Sequence, residues 1–168
     1  MTNNSNIFVF LLLALIGSLS GRAQVFTGGN VSVSYDKGVY VDIAPLIGYR
    51  LDQVNAGVSP LISYKQPDNS SQSFFSMGGR VFGQYHLIEN IFAHGEFQAL
   101  NTRTFSLLDD GARHYNRIWT LSLPVGAGYE TRISDKARVQ ASVLYDLLQD
   151  KNNPNNMPAV RGGIFYDL

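Results

Sequence analysis

The sequence predicts an all-β fold, an eight-stranded antiparallel up-and-down barrel, and three observations carry that expectation. From Gly29 onward a unit of about ten residues of period-2 alternation followed by a turn recurs eight times. The connections then alternate between short and long, as they do when neighbouring strands run antiparallel. Residues 159–168 are themselves a strand, with Val160, Gly162, Ile164, Tyr166 and Leu168 on one side and Arg161, Gly163, Phe165 and Asp167 on the other. Its free edge needs a partner, and the first strand of the same chain is the economical one, which closes the sheet.

Each element follows from its own alternation. Val31, Val33 and Tyr35 lead the first strand, turned by residues 36–38. The second, residues 39–49, sets Val39, Val41, Ile43, Ile47 and Tyr49 against Tyr40, Asp42, Ala44 and Gly48. The third, 55–64, shows Ala56, Val58, Ile62 and Tyr64. After a polar loop the fourth, 74–85, opposes Phe75, Met77, Val81 and Tyr85 to Ser76, Arg80 and Gln84. The fifth, 91–101, alternates Ile91, Ala93, Phe97 and Ala99 with His94, Glu96 and Gln98, and a long loop then reaches Asn116. In the sixth Trp119, Leu121, Leu123, Val125, Ala127 and Tyr129 face away from Thr120, Ser122, Gly126, Gly128 and Glu130. The seventh, 137–147, opposes Val139, Ala141, Val143 and Tyr145 to Arg138, Gln140, Ser142 and Asp146, and an Asn-rich loop leads to the closing strand.

Composition removes several classes of function. Lys plus Arg and Asp plus Glu stand at 13 each and are scattered, so the electrostatic footprint of a nucleic-acid binder is missing. The chain of 168 residues has no Cys, which excludes disulfides, thiolate metal sites, a Cys nucleophile and a lipidated Cys. His86, His94 and His114 lack metal-ligand spacing, no phosphate-cradling Gly motif opens a helix, and no cofactor is expected. Residues 7–16 (IFVFLLLALI) are an apolar run too short to span a bilayer as a helix, and Gly21 and Ala23 suit cleavage before Gln24. Residues 1–23 are therefore expected to be an export signal, without the usual Lys or Arg near its start, and residues 24–168 the barrel domain.

Alternation alone does not say whether the apolar face points in or out. The aromatics choose out: Tyr49, Tyr85, Tyr129 and Tyr166 end strands on the short-turn side, while Tyr35, Tyr64, Tyr145 and Trp119 sit towards the long-loop side. Two such rings match the interfacial girdles of a transmembrane barrel. The opposite face carries charge in complementary sets. Symmetrical hairpins place Arg80 opposite Glu96 and Glu130 opposite Arg138, and a looser count brings Asp146 near Arg161. Eight strands enclose an interior just wide enough for side chains to fill, so these pairs are expected to plug the lumen and leave no open pore. Pro45, Pro60 and Pro124 run against a closed ladder. Pairing through Asp52 and Gln53 sets Pro45 opposite Pro60, where a bulge or bend is expected.

On these residues the chain resembles the OmpA/OmpX-like family of small outer-membrane β-barrel proteins. The resemblance rests on residues 45–49 (PLIGY), 126–129 (GAGY), 92–96 (FAHGE) and 163–168 (GIFYDL). The last segment, with Gly163, Tyr166 and a terminal Leu168 where many members have Phe, is similar to the signal read by the barrel-assembly machinery. The resemblance implies the fold, a place in the outer membrane of a Gram-negative cell, and as partners the membrane lipid and that machinery. It implies no activity.

Three functional readings follow. The first is a structural or surface-binding role through the long loops, where residues 102–116 carry Phe105, Leu107 and Leu108 beside Arg113 and His114, with an extracellular or periplasmic protein partner left open. The same segment reads equally well as an extension of strands five and six beyond the membrane. The second is a lipid acyl hydrolase or transferase using His94 and Glu96 with Ser76 or Ser122. The third is a soluble exported, lipocalin-like ligand-binding barrel.

Overall fold

The structure, a computed structural model, describes residues 24–35, 38–68, 73–107, 113–149 and 158–168, with the backbone alone at 103–107 and 113–115. The expected export signal, 1–23, lies outside the described residues. All the elements are strands: β1 (Gln24–Tyr35), β2 (Gly38–Leu51), β3 (Val54–Pro67), β4 (Phe74–Ile88), β5 (Ile91–Leu107), β6 (Arg113–Ser122), β7 (Pro124–Arg132), β8 (Ala137–Asp146) and β9 (Ala159–Asp167).

Each strand pairs antiparallel with its neighbours, and β9 returns to β1 through the ladder Phe26↔Asp167 to Val33↔Val160, which closes the sheet. β6 and β7 are one barrel strand. Both pair β5 in a single register, from Leu107↔Arg113 to Gln98↔Ser122 and from Gly95↔Val125 to Ile91↔Tyr129, with a gap at Leu123 and Pro124. The barrel is thus eight-stranded, as the alternation predicts, with its sixth strand interrupted where Pro124 lacks an N–H. At that gap the Leu123 N–H donates to Asp146 Oδ1 (2.8 Å).

The faces are inverted relative to a soluble protein. Leu121 is 43% exposed and Val143 55%, whereas Arg80 is 4% and Glu130 5% exposed. Val31, Val33, Ile43, Ile47, Val58, Ile62, Val81, Val160 and Ile164 join them on the outer wall. Such a continuous apolar band excludes a lipocalin-like barrel, whose apolar residues would line the inside; the wall is made for hydrocarbon. Tyr35, Tyr49, Tyr85, Tyr129, Tyr145, Tyr166 and Trp119 are exposed on the same face, and Tyr64, half-buried, packs edge-on against Phe75 with centroids 5.1 Å apart.

The proline pair sits as expected, and the ladder opens there without a bulge. β2–β3 pairing stops at Ile43↔Ile62 and resumes at Ile47↔Val58 in the same register, which leaves Pro45 facing Pro60 with no bridge. Opposite residues of an antiparallel pair exchange both bonds or neither, so two missing donors cost one site rather than two. The buried Ser59 hydroxyl covers it, 2.6 Å from the Pro45 carbonyl and 2.9 Å from that of Pro60.

Two hairpins differ in register from the symmetrical count. In β4–β5 Arg80 faces Gln98 and Phe82 faces Glu96, because the turn lies at Glu89 and Asn90 rather than being centred on Ile88, and an irregularity between His86 and Ile88 takes back one residue of that shift. In β7–β8 Glu130 faces Gln140 and Arg132 faces Arg138. That turn is closed one residue later than symmetry about Ser134 implies: Ile133 and Ser134 donate to the Ala137 carbonyl (2.9 and 3.2 Å), and the Ala137 N–H returns to Ser134 Oγ (3.0 Å).

Two outcomes test this wall. Val81→Arg, in mid-band, should cost roughly 2–4 kcal/mol in urea unfolding of refolded protein in bilayers, and Ile88→Arg, at the short-turn edge, about 0–1 kcal/mol. Ser59→Ala should cost about 1–3 kcal/mol, since Pro45 and Pro60 have no N–H to give each other's carbonyl; an unchanged unfolding midpoint would refute that role.

Candidate functional site

Alternation sends every second side chain of each strand into the lumen, and the buried polar residues there form one connected network. At its centre is Glu96 on β5, 3% exposed. Arg161 on β9 grips it in bidentate fashion, Nη1 to Oε2 at 2.6 Å and Nη2 to Oε1 at 2.9 Å. Arg80 Nη1 on β4 is 3.5 Å from Oε2, His94 Nε2 donates to Oε2 at 3.0 Å, and the Gln98 amide donates to Oε1. Arg80 also donates to Asn30 on β1. Three strands thus converge on one carboxylate whose lone pairs are all engaged, the condition under which a buried ion cluster holds together, and a fourth, β1, joins through Asn30.

A second set closes a ring across the barrel nearer the short turns. Arg50 on β2 donates to Asn55 Oδ1 (3.0 Å), Asn55 to Gln84 Oε1 (3.0 Å), and Gln84 to Gln140 Oε1 (2.9 Å). Gln140 donates to Glu130 Oε2, which shares its carboxylate with Arg138 (3.1 Å). Arg138 then reaches Asp167 Oδ2 (2.9 Å), and Asp167 Oδ1 returns to Arg50 Nη1 (2.8 Å). Gln84 Nε2 joins ring to centre by donating to His94 Nδ1 at 3.2 Å. Around the network pack Phe26, Leu46, Phe82 and Phe165. The inward Gly48 and Gly57 make room for them: a Cβ there would meet the Phe26 and Phe82 rings at 2.6 and 2.7 Å. The gap left beside Asn30, Gln84, His94, Gln140 and Arg161 is about 10 Å³, roughly the room for one water. The lumen is filled.

The expected ion pairs fare unequally. Arg80 meets Glu96, and Arg138 meets Glu130, each on a diagonal rather than directly across. Arg161 goes to Glu96 instead of Asp146, because the barrel brings β5 and β9 together across the lumen while Asp146 is spent on the Leu123 and Leu148 N–H groups (2.8 and 3.1 Å). Arg50, Asn55, Asp167, Asn30 and the Phe cluster escape a search for charge pairs, although their parity along each strand marks them as inward.

His94 has both ring nitrogens occupied, by Gln84 and by Glu96, so neither Ser76 nor Ser122 is its partner. Of the expected binding residues, Leu108 lies outside the described residues. Phe105, Leu107, Arg113 and His114 fall on paired backbone rather than in a loop: β5–β6 pairing runs on through Arg103↔Arg117, Phe105↔Tyr115 and Ser106↔His114 to Leu107↔Arg113. Gly163, Tyr166 and Leu168, named for the assembly signal, lie on and just after β9, with Tyr166 45% and Leu168 63% exposed on the outer wall.

No protein-family model matches the sequence, and no curated protein matches it. By fold the chain is similar to neisserial surface protein A, NspA, at 14% identity and a TM-score of 0.51, over 87% of this chain and 97% of that one. It is similar to the N-terminal β-barrel domain of OprF from Pseudomonas aeruginosa, at 11% identity and a TM-score of 0.51, over 88% and 100%. It is also similar to Ail, the attachment invasion locus protein of Yersinia pestis, at 11% identity and a TM-score of 0.50, over 87% and 97%. At these identities the likeness is one of fold, that of small eight-stranded membrane barrels.

Because Glu96 neutralises two buried guanidiniums, Glu96→Gln should lower the unfolding free energy by about 3–5 kcal/mol, read as a fall in the urea midpoint of protein refolded in micelles. A midpoint within error of the parent would show that the cluster is not what holds the strands in register.

Proposed function

We propose that the chain is an outer-membrane protein, exported by residues 1–23, whose closed barrel is a post that presents its long-loop end to the outside in a structural or surface-binding role. The observation that carries this reading is the length of one hairpin. β5 has 17 residues and its ladder with β6 continues to Leu107↔Arg113. A tilted strand crosses hydrocarbon in roughly 9–11 residues, so about six residue pairs of backbone extend past the band as a two-stranded arm. Along its register Phe105 faces Tyr115 and Arg103 faces Arg117, an apolar and a basic rung suited to a partner surface. Solved barrels of the same fold include one titled an attachment invasion locus protein, which is in keeping with a role at the cell surface.

Two features speak against an enzyme. His94 offers no free nitrogen to activate a hydroxyl, and it lies inside a filled lumen that no acyl chain enters. The filled lumen likewise speaks against a passive pore.

Fractionation and a shortened arm test the reading together. The full chain should resist carbonate extraction, show a heat-dependent shift on a detergent gel, and be accessible to surface labelling at the arm. Deletion of residues 107–111 should leave assembly and the gel shift unchanged while abolishing capture of whatever the parent captures on intact cells. Release of the parent by carbonate would overturn the membrane reading, and unchanged capture after deletion the binding role of the arm.

A further inference from the structure

At the short-turn end, away from the arm, the lumen opens into a cavity of about 280 Å³. Arg50, Arg132, Arg138, Glu130 and His86 line it from the strands, and Asp52 and Glu89 from the two turns. The charges of this mouth are unequally spent. Glu130 gives Oε1 to Arg138 and Oε2 to Gln140, and Asp167, the next carboxylate in, gives both oxygens to Arg50 and Arg138. The positive charge is left in excess: neither Arg50 Nη2 nor Arg138 Nε, both buried, makes a hydrogen bond, and Arg132 is the exposed guanidinium in front of them. The carboxylate oxygen near Arg50 Nη2 is Glu130 Oε2 at 3.8 Å, beyond hydrogen-bond reach. Arg132 faces Arg138 directly across β7–β8, and among the described residues it forms no ion pair. Like charges opposite one another destabilise a ladder unless an anion comes between or beside them.

The rim is the reverse. Asp52 and Glu89 are exposed and likewise form no ion pair among the described residues. The mouth therefore offers guanidiniums on its strands and carboxylates on its turns, around one cavity. A simple anion is drawn by the first and repelled by the second, and a simple cation meets the opposite. Only a ligand that carries both charges, negative end leading, answers both. The volume lies just under the range of drug-sized pockets, and Leu87 and Ile88 supply an apolar side wall.

We infer that the short-turn mouth binds a small zwitterion of amino-acid or dipeptide size, its carboxylate on Arg132, with the excess charge of Arg50 and Arg138 behind it, and its ammonium on Asp52 and Glu89. Binding here is independent of the arm at the other end, and its failure leaves the proposed surface role untouched.

The test is a set of titrations, by calorimetry or by NMR shift changes, of the full chain refolded in detergent micelles. The probes are alanyl-alanine, its N-acetyl form, its C-terminal amide and inorganic phosphate. The free dipeptide should saturate, and blocking either end should weaken binding about tenfold or more, which is 1.4 kcal/mol or more. Arg132→Gln should weaken the free and N-acetyl forms and leave the amide unchanged, while Asp52→Asn with Glu89→Gln should erase the preference for the free over the N-acetyl form. All three positions are exposed, so the heat-dependent gel shift should stay as in the parent. No saturable binding of the free dipeptide would overturn the inference. So would phosphate and the N-acetyl form binding as tightly as the free dipeptide, which would make the mouth a plain oxyanion site.

Discussion

A strand in hydrocarbon has no water to fall back on, and the need to pair every backbone N–H and C=O governs this molecule from end to end. It forces β9 onto β1, since either strand left alone would offer a row of bare donors and acceptors to lipid. It also explains where the lumen side chains turn outward to the wall. The ladder opens at two places, Pro45 against Pro60 and Leu123 before Pro124. At the first the Ser59 hydroxyl serves two carbonyls, and at the second the Asp146 carboxylate takes the stranded N–H. Both defects are answered from the inside, by side chains of the lumen face.

The same constraint settles what the inside must be. With the apolar residues spent on the lipid face, the lumen inherits the polar half of every strand, and polar groups so enclosed are stable only when mutually satisfied. Glu96 with Arg161, Arg80, His94 and Gln98, and the ring from Arg50 through Asn55, Gln84, Gln140, Glu130, Arg138 and Asp167, satisfy the carboxylates in this way by linking strands distant in sequence, while Arg80 Nε and Nη1, Arg161 Nε, Arg50 Nη2 and Arg138 Nε make no hydrogen bond. The contacts reach across the barrel, so they hold its cross-section as well as its register. A wall whose bonds are continuous and an interior cross-linked in this way leave little for the barrel body to do by moving.

What was legible in the sequence follows from the range of each interaction. Alternation is a property of neighbours two apart, and so the faces, the strand number and the aromatic belts could be read directly. Register depends on the turn as well, and a symmetrical count misses it by two residues in both hairpins: the β4–β5 turn lies at Glu89 and Asn90 with an irregularity before it, and the β7–β8 turn closes one residue past Ser134. Arg161 was assigned to Asp146 because chain-neighbour counting sees only adjacent strands, whereas its partner Glu96 lies 65 residues away across the lumen. The arm was half legible. Past the membrane edge neither face of a strand has to be apolar, so the alternation that marks β5 up to Asn101 fades while the backbone pairing goes on to Leu107.

A rigid, filled body confines function to the two rims, and the rims differ in kind. At the long-loop end the chain extends its own backbone ladder outward, and the surface role proposed above would rest on that protruding hairpin. The short turns leave no such freedom: they are two to a few residues long, and the charges behind them are members of the ring that holds the barrel. Arg50 and Arg138 cannot be altered for a ligand's sake without loosening β2, β8 and β9. A site at that end must therefore use what the ring leaves over, the excess charge of its arginines and the exposed residues beside it, Arg132, Asp52 and Glu89, which form no ion pair among the described residues. Affinity there is limited by how little the ring can spare, and selectivity rests on the rim, where substitution is cheap.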